Sequence, residues 1–150
     1  MKKVCLVASS GGHFEQVLRL KALNKSFTIF YVTERTPYVS SRSDTYYVKQ
    51  INRKETLAPI FLAQIVLKSF YIFWKEQPDI IISTGALSTI PLLLIGHLFH
   101  KKIVYIESFA KITTPTRTGQ FVYKFADVFI VQWESLLKYY PNAECLGPIY

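Results

Sequence analysis

Sulfur is scarce in this chain: two cysteines and one methionine in 150 residues. Cys5 lies in a short apolar run that reads as a buried strand, and Cys145 stands far from it in sequence. This usage excludes a disulfide framework and fits a reducing compartment. Acidic residues are also few, 10 against 18 basic, for a net charge of +8. That imbalance calls for an anionic partner: nucleic acid, an anionic membrane surface or a phosphorylated substrate. Nucleic acid fits least, because the basic residues are scattered between apolar runs and no zinc-finger or RNA-binding aromatic signature is present. No Gly-Lys-Ser/Thr forms a Walker A loop, and no G-x-G-x-x-G occurs. Internal repeats and low-complexity tracts are absent. Lys2 and Lys3 open the chain, but the apolar run behind them is too short for a signal peptide. Neither a metal nor an organic cofactor is expected.

What the chain has in quantity is apolar surface. Half of its residues are hydrophobic and 15% are aromatic, with a mean hydropathy of +0.19. This suits one domain, residues 1–150, with a sizeable core and apolar surface left over.

The first twenty residues organise the rest. Val4–Ala8 is an apolar run of strand length. Ser9-Ser10-Gly11-Gly12-His13 follows as a turn, and Phe14, Val17, Leu18 and Leu20 then recur at helical spacing. Adjacent glycines allow a sharp turn and close approach of a ligand. A helix start offers unpaired N–H groups to an anion, most often a phosphate. The plain alternative is a tight turn capped by Ser10. His13 sharpens the signal: an imidazole beside helix N–H groups tends to stay neutral and can accept a proton from a sugar hydroxyl. The spacing leaves two roles open for His13, base or phosphate ligand.

Leu57–Trp74 is the second unusual stretch. On a helix, Gln64, Lys68, Tyr71 and Lys75 share one narrow stripe, and nearly everything else is apolar: Phe61, Ile65 and Ile72; Leu62, Val66 and Phe73; Ala63, Leu67, Phe70 and Trp74. A helix packed on a sheet needs an apolar arc of about 100° or somewhat more, and this arc is roughly twice as wide. A transmembrane span is not expected. The uncharged run from Thr56 is broken by Lys68, well before the ~20 residues that spanning needs. Two readings remain: an interfacial helix with Phe61, Leu62, Val66, Phe70, Phe73 and Trp74 in the lipid boundary and Lys68 and Lys75 at the headgroups, or a helix buried against a partner.

Further strands are expected at Phe27–Val32, Thr45–Val48, Ile80–Ser83, Ile103–Ile106, Val128–Val131 and Ala143–Leu146. Helices are expected at Ile90–Phe99, Phe121–Phe125 and Glu134–Tyr139. Thr33–Asp44 and Ala110–Gln120 read as polar loops. Strand and helix in alternation specify an α/β fold, a Rossmann-like parallel sheet with helices on both faces. Ligands then bind beyond the carboxyl ends of the strands. Four polar loops gather there: Ser9–His13, Ser83–Ser88, Glu107–Arg117 and Gln132–Glu134.

Ser9-Ser10-Gly11-Gly12-His13, Ser83-Thr84-Gly85, Tyr105-Ile106-Glu107-Ser108 and Phe125–Trp133 occur in the same order in a known group. Over nearly its whole length the chain resembles the membrane-anchoring subunit of the dolichol-linked chitobiose-forming N-acetylglucosaminyltransferase. It looks still closer to short bacterial capsule and exopolysaccharide proteins described as glycosyltransferase enhancers. More distantly, it is similar to the N-terminal half of the transferase that makes lipid II.

The resemblance implies the N-terminal half of a GT-B glycosyltransferase split across two chains. One half binds a polyprenyl-pyrophosphate-linked sugar acceptor and meets an anionic membrane surface; a separate donor-binding subunit holds the sugar nucleotide. The chain reaches Leu146-Gly147-Pro148 where single-chain relatives begin their interdomain linker, so it is expected to be inactive or weakly active alone. The eukaryotic subunit has an N-terminal membrane segment. Here Met1-Lys2-Lys3 runs into the first strand, which leaves Leu57–Trp74, with Ile90–Phe99 second, to anchor a peripheral protein at the cytoplasmic face of the cell membrane. By the same carry-over Gly11, Gly12 and His13 face the acceptor's pyrophosphate or its attacking hydroxyl, with His13 the candidate catalytic base or else a phosphate ligand. Ser10, Gly85, Glu107 and Ser108 complete the expected acceptor- or phosphate-binding set. The competing expectations are a non-catalytic protein-docking module and a free-standing small nucleotide-sugar enzyme.

Overall fold

The computed structural model describes residues 1–150. Seven strands form one sheet: β1 (Lys3–Ala8), β2 (Thr28–Arg35), β3 (Thr45–Lys49), β4 (Ile80–Gly85), β5 (Lys102–Ile106), β6 (Val128–Val131) and β7 (Glu144–Cys145). Four helices connect them: α1 (Gly12–Leu18), α2 (Ala58–Glu76), α3 (Ile90–Leu98) and α4 (Arg117–Val122). The strand order is β3-β2-β1-β4-β5-β6-β7 and every pairing is parallel. This is the Rossmann-like arrangement expected from the alternation of strand and helix.

The sheet divides the core into two layers, as the period-2 geometry of a strand requires. Cys5 and Val7 of β1 face the larger layer, with Ile65, Ile72 and Phe73 of α2 and Leu92, Leu93 and Ile95 of α3. Val4, Leu6 and Ala8 face the smaller one, with Phe14 and Val17 of α1 and Tyr31 of β2. Each of these large side chains contributes about 1.5–3 kcal/mol by leaving water. Cys5 is fully buried, which pushes its thiol pKa up and removes it from redox chemistry.

Three elements differ from expectation. The helix expected at Glu134–Tyr139 is a single 3-10 turn, Glu134–Leu136. β2 runs on through Thr33-Glu34-Arg35, residues whose polarity suggested a loop, because Glu34 and Arg35 pair with Val48 and Lys49 of β3. α4 begins earlier than the expected Phe121–Phe125. The Thr116 hydroxyl accepts from the Gly119 N–H 2.8 Å away and caps it.

The strand order reverses between β1 and β4, which are neighbours in the sheet but not in sequence. At such a switch point the loops leaving the two strands diverge and open a crevice. The loops concerned are Ser9–His13 and Gly85–Ser88.

Candidate functional site

The crevice is closed at its base by backbone: the Ser9 N–H donates to the Gly85 carbonyl at 2.9 Å. Gly11 adopts φ +77° as the chain turns from β1 into α1. His13 sits on the first turn of α1, where its carbonyl accepts from Thr84 Oγ1 at 2.9 Å. Its ring lies against Gly85. A Cβ added there would stand 3.3 Å from His13 Cε1 and 3.0 Å from the Tyr105 hydroxyl, at a backbone φ of +104° that side chains rarely adopt. The structure thus brings together His13 and Gly85 from two distant loops.

His13 Nδ1 is buried and has no hydrogen-bond partner, so Nε2 is the nitrogen that faces outward. Burial pulls the imidazole pKa below its ordinary value, against the opposing pulls of the nearby Thr84 backbone and of the Glu107 and Glu34 charges. The shift favours the neutral imidazole, mainly for lack of water rather than through a helix dipole. α1 has only seven residues.

Gly85→Ala is expected to displace the imidazole and strain the backbone. The cost in stability is about 1–3 kcal/mol, read as a lower Tm, with a larger fractional loss of any His13-dependent activity. Unchanged Tm and activity would refute this packing role.

Ser10 does not cap α1. Its hydroxyl and N–H both donate to Glu34 Oε2, at 3.1 and 3.4 Å. Glu34 is buried near the end of β2, in a segment whose polarity suggests a loop. Gly12 lines the same turn, with open space where a Cβ would be.

Glu107 and Ser108 are used differently from the expectation that they contact acceptor. The Glu107 carboxylate is wholly buried. It accepts from the Ser108 N–H at 2.9 Å, the Thr116 N–H at 3.1 Å, the Thr116 hydroxyl at 2.8 Å and the Tyr140 hydroxyl at 2.6 Å. Its lone pairs are spent on protein, so it positions the loop that follows β5. Burial, reinforced by this carboxylate, raises the Tyr140 pKa and keeps the phenol a donor. Ser108 is buried as well, and its hydroxyl accepts from the Ala110 N–H at 3.3 Å. Gln132 ties the loops to one another: its amide donates to Gln16 Oε1 and to the Glu107 carbonyl, both at 2.9 Å.

The apolar helix α2 turns Ile65, Ser69, Ile72 and Phe73 inward. Phe73 was expected at the lipid boundary. It is 1% exposed and packs on Phe99 with ring centroids 5.2 Å apart, so it belongs to the core. Phe61, Leu62 and Val66 are half-buried, while Lys68, Phe70, Trp74 and Lys75 are exposed. Leu67 at 71% and Ile60 at 55% are more open than most of the expected contacts. Trp74 meets the half-open Phe99 edge-on at 5.3 Å, which extends the apolar surface to the end of α3. Lys68 and Lys75 flank it, each over the Tyr71 ring. No helix is long and apolar enough to cross a membrane.

Comparison with known proteins agrees with this architecture. The family model "Oligosaccharide biosynthesis protein Alg14 like" matches residues 48–149. The human UDP-N-acetylglucosamine transferase subunit ALG14 is 29% identical over 97% of this chain and 82% of its own length. The Schizosaccharomyces pombe subunit of the same description is 36% identical over 51% of this chain and 40% of its own. Among solved structures, Acinetobacter baumannii MurG superposes with a TM-score of 0.75 at 16% identity, over 97% of this chain and 44% of that one. The UDP-N-acetylglucosamine 2-epimerase of Rickettsia bellii gives 0.73 at 14%, over 94% and 41%. This chain therefore spans less than half of either structure, and its fold is that of their N-terminal Rossmann-like domain.

Proposed function

The chain belongs to the Alg14-like family of oligosaccharide biosynthesis proteins, and from that premise we propose that it is the acceptor-binding, membrane-associating subunit of a two-chain glycosyltransferase. Its partner is a donor-binding GT-B chain that holds a nucleotide sugar. Its acceptor is a sugar carried on a polyprenyl pyrophosphate, in the assembly of a bacterial capsular or extracellular polysaccharide. It lies peripherally on the cytoplasmic face of the cell membrane. Residues 1–150 form its single acceptor-side domain.

One observation carries this reading. The crevice with the neutral His13 and the exposed apolar face of α2 belong to the same small domain, and that face serves no core of its own. A contiguous apolar surface flanked by lysines suits an anionic membrane. In the reaction, His13 Nε2 takes the proton of the acceptor hydroxyl as that oxygen bonds to the anomeric carbon of the donor. The nucleoside diphosphate leaves with the electron pair of the broken bond. Gly11 and Gly12 let the acceptor come close to the ring, and Gly85 holds the ring in place. Ser10, Glu107 and Ser108 shape the loops around it.

The test is reconstitution on vesicles containing phosphatidylglycerol and a polyprenyl-pyrophosphate-linked sugar. Transfer is expected only when this chain and a donor-binding chain are both present. Leu67→Glu/Trp74→Glu is expected to abolish flotation with the vesicles and to leave the fold intact, since both positions are exposed. Transfer by this chain alone would instead identify a free-standing enzyme. Unchanged flotation of the variant would detach α2 from the membrane, and a stable partner complex without flotation would make the chain a docking module.

A further inference from the structure

We propose that the phosphate groups of the lipid-linked acceptor are held by Arg35, Lys49 and Lys54 at the foot of α2, rather than by the Ser9–His13 turn. This rests on the acceptor-binding reading above and adds to it the residues that grip the charge.

The turn is a poor place for two phosphates. α1 is short, and the buried Glu34 carboxylate sits against Ser10, where it would repel an anion. The positive charge lies one step away. Arg35 and Lys49 are direct partners in the β2–β3 register. They line, with Lys54, Leu57 and Phe61, an open cavity of about 830 Å3, within the usual range for ligand sites. Neither cation has a counter-ion, because the two ion pairs of the molecule are Lys3–Glu76 and Arg42–Asp44. They are stationed over aromatic rings instead: the Arg35 guanidinium 4.8 Å from the Tyr47 centroid, and Lys49 Nζ 4.7 Å from that of Phe61. Glu55 is the acidic residue on the cavity wall, against three cations.

A second cavity, of about 560 Å3, shares Gln50, Asn52 and Lys54 with the first and reaches Ser9 and Ser10. The two together run from Ser9 and Ser10, beside the Glu34 carboxylate, past the cations, to Leu57 and Phe61, where the open face of α2 begins. A polyprenyl diphosphate sugar has the same order: sugar, two phosphates, hydrocarbon. Arg35 supplies a planar fork for phosphate oxygens, and Lys49 and Lys54 supply point charges.

The experiment is co-flotation of the full chain with three sets of phosphatidylcholine vesicles: undoped, doped with undecaprenyl diphosphate, or doped with phosphatidylglycerol to equal surface charge. The wild type is expected to favour the diphosphate vesicles over the charge-matched ones. Arg35→Gln/Lys49→Gln is expected to lose that preference by about tenfold or more while still binding phosphatidylglycerol through Lys68 and Lys75. Both residues are exposed and unpaired, so Tm should hold; Lys54→Gln, on the loop before α2, gives the same readout if the double variant folds poorly. Variants that retain the preference would overturn the phosphate site and leave the acceptor reading standing. A wild type that binds both charged vesicles equally would overturn the two together and assign these cations to bilayer headgroups.

Discussion

His13→Ala is expected to reduce transfer by the reconstituted pair by about 100- to 10,000-fold, the range over which a positioned general base acts, without unfolding the subunit. The ring is only half-buried, and its inward nitrogen makes no hydrogen bond that the fold would lose. Removal leaves a small cavity beside Gly85 and little else. The pH profile separates a base from a bystander. Burial lowers the His13 pKa from its ordinary 6.5, so the neutral, proton-accepting form persists to more acid pH than a free imidazole allows. In the wild type kcat/KM should rise with pH through that depressed value and be flat at neutrality. In His13→Ala this acid limb should vanish along with most of the rate. The same shift has a consequence for stability. The folded state favours neutral His13, so the stability it contributes is full above the unfolded pKa and declines as pH falls from there through the folded pKa. The alanine variant should lose less stability on acidification. Full activity, or an unaltered acid limb, would remove His13 from the chemistry.

Much of the architecture was legible because central parallel strands are covered on both faces and read as unbroken apolar runs. Val4–Ala8 and Ile80–Ile82 are of that kind. The end of β2 was not legible. Thr33, Glu34 and Arg35 are polar and lie at the carboxyl edge of the sheet, where strand pairing is decided by β3, not by side-chain hydropathy. That segment holds Glu34, whose carboxylate accepts from Ser10, and Arg35 of the basic cavity. α4 was displaced for a related reason. A glycine within a helix argues against the helix, yet Gly119 is required: a Cβ there would lie 2.3 Å from Glu107 Oε2. On α2, apolar residues surround most of the helix and its hydropathy has no clear phase. Periodicity could therefore identify an excess of apolar surface but not which part of it is open. Ser69, buried between Ile65 and Ile72, marks the inner face better than any large residue does. His13 and Gly85 were legible as loop residues at strand ends. That Glu107 points inward was not, since a Glu-Ser pair after a strand reads the same whether its carboxylate meets ligand or protein.

That inward carboxylate makes the second large effect predictable. Glu107→Ala is expected to destabilise the subunit by about 3–5 kcal/mol, as removal of one side of a buried charged network does. The Ser108 and Thr116 N–H groups and the Tyr140 hydroxyl would each lose their acceptor, and an unpartnered buried donor costs about 1–3 kcal/mol. Relaxation of the loop toward water recovers part of the sum, which places the net value below simple addition. Glu107→Gln keeps the volume and one acceptor oxygen. It forces an amide N–H₂ toward either the Thr116 N–H or the Ser108 N–H, so an intermediate loss is expected. Chemical denaturation checks the order wild type, Gln, Ala. The loss should also be local in origin: the loop from Ser108 to Arg117, held at one end by Glu107 and at the other by the Thr116 cap, should gain hydrogen exchange and protease sensitivity before β1 or β4 does. If Glu107 instead met the acceptor directly, Glu107→Gln would leave stability and loop protection unchanged and raise the acceptor KM. The two roles therefore predict opposite patterns in the same pair of measurements.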